Sequence, residues 1–144
     1  MDATQFVPLE AFRLQWRFSG PRNPFLTADA RARLRPLSDA AASVAAADAT
    51  RRCADPGGPT LAFRSDDDPG AVRRSLRTLP IGAECAITIS WDQATALATD
   101  WQTFTAYWDD FCYPASDDVT VWSPTAEWTL CYRHYEVFQF CSAA

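Results

Sequence analysis

Lysine is absent from this chain, and all thirteen basic residues are arginines. That excludes Schiff-base lysines, a lysine nucleophile and the phosphate-binding loop that ends in a lysine. Histidine occurs once, at His134, so a zinc site built on several imidazoles is ruled out. There is no GxGxxG segment for a dinucleotide, and no loop of alternating acids with a central glycine and closing glutamate for calcium. No cofactor is expected. Long apolar runs are missing too. The least polar stretch, Ala40 to Ala47, is alanine-dominated and far short of the ~20 residues a membrane span needs. Met1 to Gln5 carries an acid and no apolar segment follows, so neither a secretory leader nor a membrane partner is expected.

Paired cysteines are also lacking. The five, Cys53, Cys85, Cys112, Cys131 and Cys141, are an odd number with no CxxC among them, which argues against a disulfide scaffold and against a cysteine-only zinc site. Cys85 and Cys131 sit in apolar, strand-like runs, where a free thiol acts as a small hydrophobe. The expectation is five reduced, inert thiols in a reducing, cytoplasmic compartment.

What is present fits a globular fold. At 144 residues, 48% hydrophobic and 22% charged, the chain reads as one α+β domain spanning 1–144, long enough for its own core. Phe12, Leu14, Trp16 and Phe18 alternate with Arg13, Gln15 and Arg17, the period of a half-buried strand with a basic outer face. Thr27 caps a short helix that Pro36 stops, and Ser38 caps an alanine-rich helix ending at Arg51-Arg52. Asp55 to Pro59 is a loop, Leu61 to Arg64 a strand, and Asp66-Asp67-Asp68-Pro69 opens a helix that turns Val72, Leu76 and Leu79 inward. Cys85 to Trp91 is a buried strand. Thr99 to Gln102 has the form of a capping box, and Trp101, Phe104, Trp108 and Phe111 then share one helical face up to Pro114. Val119 to Trp122 is a strand, and Trp128 to about Phe140 is one long or broken strand closing a C-terminal hairpin. The order β-α-α-β-α-β-α-β-β, with about five strands and about four helices, predicts a mixed, mostly antiparallel sheet.

Charge and aromatics are unevenly spread. Residues 1–83 hold twelve Arg against nine acids, whereas residues 84–144 hold only Arg133 against nine acids and carry thirteen of the nineteen aromatics. With a pI near 4.7 and arginines interspersed with acids, nucleic-acid binding is not expected. Asp109 and Asp110 are expected at the end of a helix, where the dipole opposes them, with Asp117 and Asp118 in the loop beyond. These four are solvated, hold a hard cation, or await a basic partner. Six further aromatics, Trp91, Trp122, Trp128, Tyr132, Tyr135 and Phe138, exceed what one small core easily takes, and some are expected at the surface beside the Asp pairs.

Two functions follow. The favoured one is a non-enzymatic binding module, without metal, in which Asp109, Asp110, Asp117, Asp118, Trp122, Tyr132 and Tyr135 engage a basic protein partner. In charge and aromatic content the chain resembles small acidic bacterial domains that neutralise nuclease-type toxins, a likeness of composition carried by no motif. The alternative is a small enzyme or ligand-binding domain. There His134 and Glu136 would share one strand face and line a cleft with an Asp pair, Glu136 orienting the imidazole as a base. Oligomeric state leaves no mark on the sequence.

Overall fold

The computed structural model describes residues 5–18, 26–54, 60–64, 68–113, 116–134 and 136–142. The chain begins with two 3-10 turns, Leu9–Ala11 and Gln15–Arg17, followed by α1 (Ala28–Ala32), β1 (Arg35–Pro36), α2 (Asp39–Ala54) and β2 (Thr60–Arg64). It continues through α3 (Pro69–Arg77), the hairpin β3 (Ala86–Asp92) and β4 (Thr95–Asp100), α4 (Trp101–Ala106) and α5 (Trp108–Phe111). β5 (Val119–Trp122), β6 (Trp128–Arg133) and β7 (Val137–Ser142) close the described chain. Helix starts have local causes. Thr27 accepts the Ala30 N–H at 3.0 Å, Asp68 that of Ala71 at 3.2 Å with Pro69 opening α3, and Asp100 that of Thr103 at 2.8 Å.

The strands form one open sheet in the order β1-β4-β3-β5-β6-β7-β2, and every pairing is antiparallel. Period-two alternation divides the residues between two faces. Ile87, Ile89, Leu97, Val119, Val121, Leu130, Tyr132, Phe138 and Phe140 look into the larger core. Phe12, Phe18, Leu34, Leu76, Trp101, Phe104, Trp108 and Phe111 cover them from the turns and from α3, α4 and α5. Trp108 is buried and Trp91 half-buried, and their indole N–H groups donate to the carbonyls of Pro69 (3.1 Å) and Phe111 (2.9 Å). The opposite face carries α2, whose Ala42, Ala45 and Ala49 rest with Leu37 on Ala96 and Trp122.

The α+β class and broad element order match the sequence reading, with instructive departures. Phe12 to Phe18 is not a strand but consecutive 3-10 turns, held by Gln15 N–H to Phe12 C=O and Phe18 N–H to Gln15 C=O at 3.0 Å each. Phe12 and Phe18 still both point inward, because a separation of six satisfies a period of two and a period of three alike. β4 was not anticipated. Its Ala-rich sequence has little strand propensity and its Gln93-Ala94 turn lacks glycine, Asp92 instead accepting the Ala94 N–H at 2.9 Å. The aromatic helix breaks at Tyr107 (φ −125°, ψ 30°) into α4 and α5, although all four of its inward aromatics are buried as expected. Pro114, Tyr135, the 55–59 loop, Asp66 and Asp67 lie outside the described residues.

Candidate functional site

The inward stripe of α2 steps from Ala42 through Ala45 to Ala49, and one further helical turn brings Cys53 onto the same sheet-facing line. Beneath it lie the α2-side residues of β5 and β6, namely Thr120, Cys131 and Arg133. Alanine holds the helix close over β4, β3 and β5. At the C-terminal end the stripe has run out, and two adjoining cavities open that share Cys53 and Arg133. One, of about 300 Å³, is bordered by Thr50, Ser90, Asp92, Asp118 and Thr120. The other, of about 130 Å³, is bordered by Arg52, Thr129, Cys131, Gln139 and Cys141. A larger cavity of about 590 Å³ lies between the N-terminal turns and the start of α2, but no thiol or imidazole lines it.

Three cysteines therefore border one cavity. Cys53 Sγ lies 3.4 Å from Thr120 Oγ1, and Cys131, the cross-strand partner of Thr120, borders the same cavity as Cys53. Cys141 stands diagonally from Cys131 on the same sheet face, since the register pairs Cys131 with Gln139 and Thr129 with Cys141. Hydrogen bonding from Cys131 foremost, and then Thr120 and the Arg133 guanidinium, outweigh burial and the Asp118 carboxylate and hold the Cys53 thiol down at about 6. Cys131 moves the opposite way, pushed up by its hydrogen bond to Cys53 and by burial. Cys112 is fully enclosed in the other core, and burial raises its thiol well above the usual value. The inert, buried thiol anticipated for all five cysteines thus fits Cys112 well and Cys53 poorly. Among the described residues no group of three His, Cys, Asp or Glu is placed to hold a metal ion.

The residues singled out from the sequence are not brought together. Asp117 is buried in a fork with Arg17 (2.7 and 3.3 Å) and also accepts the Tyr113 N–H at 2.9 Å. Asp118, one residue on, is exposed and accepts the His134 backbone N–H at 2.9 Å, with His134 Nδ1 at 3.0 Å. Burial pushes its carboxyl up, but these His134 contacts and Arg133 outweigh that and hold it below its ordinary value. Asp109 and Asp110 fall in α5, a single turn that ends at Phe111, so they stand in its first turn and beside its C-terminal end alike. Trp122 and Tyr132 are not at the surface: the first is pinned under α2 and the second packs on Phe138 with ring centroids 4.8 Å apart. A sheet covered on both faces has room for aromatics that a single core would expel. His134 and Glu136 do not share a strand face. They sit in the turn joining β6 to β7, where Glu136 adopts φ 65° and its N–H reaches the Arg133 carbonyl at 2.9 Å.

Four ion pairs partly offset the charge asymmetry along the chain. Arg13, Arg17, Arg33 and Arg73 of the basic part approach Asp92, Asp117, Asp100 and Asp109 of the acidic part at 3.8, 2.7, 4.0 and 3.9 Å.

Fold and site define an α+β protein with an antiparallel sheet and a thiol cleft at the exposed end of its longest described helix. No protein-family model matches the chain, nor does any curated protein or solved structure.

Proposed function

We propose that this protein binds a small electrophilic ligand in the cleft at the end of α2, with Cys53 as its nucleophile. The carrying observation is the convergence of Cys53, Thr120 and Arg133 at the junction of two cavities, one of them open enough for a ligand. A thiol becomes a nucleophile as its thiolate, and a hydroxyl donor with a guanidinium is the environment that favours one. The C-terminal end of a helix disfavours negative charge by up to about 1 kcal/mol, so those two groups are required rather than incidental. A reducing, cytoplasmic setting belongs to this reading, because the thiols must begin reduced. Among the described residues no helix is long and apolar enough to cross a membrane.

The test is alkylation of native, reduced protein by iodoacetamide across a pH series, with sites located by mass spectrometry. Cys53 is expected to react first, with a midpoint near pH 6, and Thr120→Val is expected to move that midpoint upward. Cys85, the other partly exposed thiol, lacks these partners and serves as an internal control. Should Cys53 react only after denaturation, the cleft reading falls.

A second reading keeps the acidic part as a surface for a basic protein. Its support is that Asp92, Asp109 and Asp118 are 53%, 49% and 59% exposed, and that Arg13 and Arg73 stand 3.8 and 3.9 Å from the first two. Pairs this long and wet hold little energy, and an incoming guanidinium displaces them cheaply. Salt-sensitive retention on immobilised polyarginine, lost in a triple Asp→Asn variant at those positions, is the expected result. Equal retention of the variant removes this reading.

A further inference from the structure

We infer that Cys53 and Cys131 form a two-thiol redox pair that reduces a small hydroperoxide, Cys53 attacking and Cys131 resolving. The inference rests on the cleft reading and adds to it a substrate class and a second reacting residue. Cys53 lines both cavities and shares the smaller one with Cys131, whose cross-strand partner Thr120 stands 3.4 Å from Cys53 Sγ. The inner cavity of about 130 Å³ is the volume of roughly four waters, which suits hydrogen peroxide or the head of a small organic hydroperoxide. Arg52 and Arg133 supply positive charge around it, and Arg52 Nη1 donates to Thr129 Oγ1 at 3.5 Å.

The chemistry balances with the hydroperoxide as the only oxidant. The Cys53 thiolate attacks one peroxide oxygen, the O–O bond breaks, and hydroxide leaves beside Arg133 and takes a proton from solvent to become water. Cys53 is then a sulfenic acid. The Cys131 sulfur attacks Cys53 Sγ, an S–S bond forms, the S–O bond breaks, and hydroxide departs with the Cys131 proton as a second water. Two thiols are oxidised to a disulfide and one peroxide is reduced. Closing the pair brings two sulfurs that border one cavity to about 2.05 Å. Cys53 lies in the last turn of α2, where the carbonyls lack intrahelical partners and the backbone yields most easily. Transient disulfides of this kind are the sort a reducing compartment tolerates.

The experiment treats reduced, desalted protein with hydrogen peroxide, quenches with N-ethylmaleimide and maps the non-reduced digest, while parallel samples are alkylated without peroxide. A link between Cys53 and Cys131, with a mass lower by two hydrogens, is expected. Cys53→Ser should slow peroxide consumption by roughly tenfold or more. Cys131→Ser should leave a sulfenic acid at Cys53 that dimedone traps, and Cys141→Ser should behave as the parent. Thermal melts confirm that each variant is folded. A Cys53–Cys141 link, or undiminished consumption by Cys53→Ser, overturns the inference. If Cys53 alkylates readily in the native protein but never links to Cys131, the redox pairing falls and the cleft reading stands. If Cys53 resists alkylation as well, both fall.

Discussion

The two faces of the sheet are closed by residues of opposite kind. On one, Phe18, Phe104, Phe111, Phe138 and Leu97 are fully enclosed, with Phe18 and Phe111 ring centroids 4.9 Å apart and Phe104 and Phe111 5.5 Å apart. On the other, a helix with a buried stripe of alanines lies over Ala96, Ser90 and Thr88, and polar or sulfur-bearing side chains continue beyond it on β5, β6 and β7. Large rings interdigitate and leave no room, whereas alanines bring a helix close and cannot fill the space past its end. Stability is therefore concentrated on the aromatic face, and reactive groups collect where packing is thin.

The largest expected effects test that division directly. Phe138→Ala or Phe104→Ala should cost about 3–5 kcal/mol, whereas Cys53→Ala, compared at pH 6 where a thiolate adds little, should cost no more than about 1 kcal/mol. Urea unfolding midpoints measure both, and comparable losses at Cys53 and Phe138 would erase the contrast between faces. Next in size is the buried pair. Asp117→Asn leaves the Arg17 guanidinium enclosed, stacked 3.8 Å from the Tyr113 ring centroid and without its counter-ion. A loss of about 3–5 kcal/mol is expected there. Asp109→Asn, whose partner is 3.9 Å away at the surface, should change stability by no more than about 1 kcal/mol.

A smaller effect concerns pH. The Cys53 thiol sits at about 6 in the folded protein against an ordinary 9.0, so between those values the unfolded chain keeps a proton that the native state has shed. Its contribution is fully present above 9.0 and lost as pH falls through about 6. The stability difference between the parent and Cys53→Ser should therefore grow from pH 6 to pH 9 in denaturant titrations, and a flat difference would remove the thiolate. The smallest effect is at Asp118. Its carboxyl is held below the ordinary value by His134, so its contribution is present at neutral pH and disappears as pH falls through the depressed value. Being exposed, Asp118→Asn should cost only a few tenths of a kcal/mol, and 1 M salt should abolish even that.

Much of the fold was legible because it rests on local rules. The caps at Thr27, Ser38 and Asp68, the strand at Cys85 to Trp91 and the aromatic stripe from Trp101 to Phe111 all follow from spacing and hydrogen-bond chemistry within a few residues. Where local signals were weak or doubly satisfied, the reading failed. Phe12 and Phe18 obey two periods at once, and β4 is specified by its pairing with Ile87, Thr88 and Ile89 rather than by its own residues. The site was less legible still. Its one local trace is the four-residue step from Ala49 to Cys53, which extends the buried stripe of α2.

The sequence by itself determined the missing lysine chemistry, the single histidine, the odd count of cysteines, the α+β class and most of the inward-facing aromatics. Only the tertiary structure decided what those residues do together. Sheet order and register set Cys53, Thr120, Cys131 and Arg133 around one junction, although 67 residues separate the first two. The same assembly laid the basic first part against the acidic second, so that a charge asymmetry along the chain became ion pairs within it. The physical reason is one of range. Backbone propensity and capping act over a few residues, whereas a thiol's acidity and a carboxylate's partner depend on groups within a few ångströms that folding alone brings near.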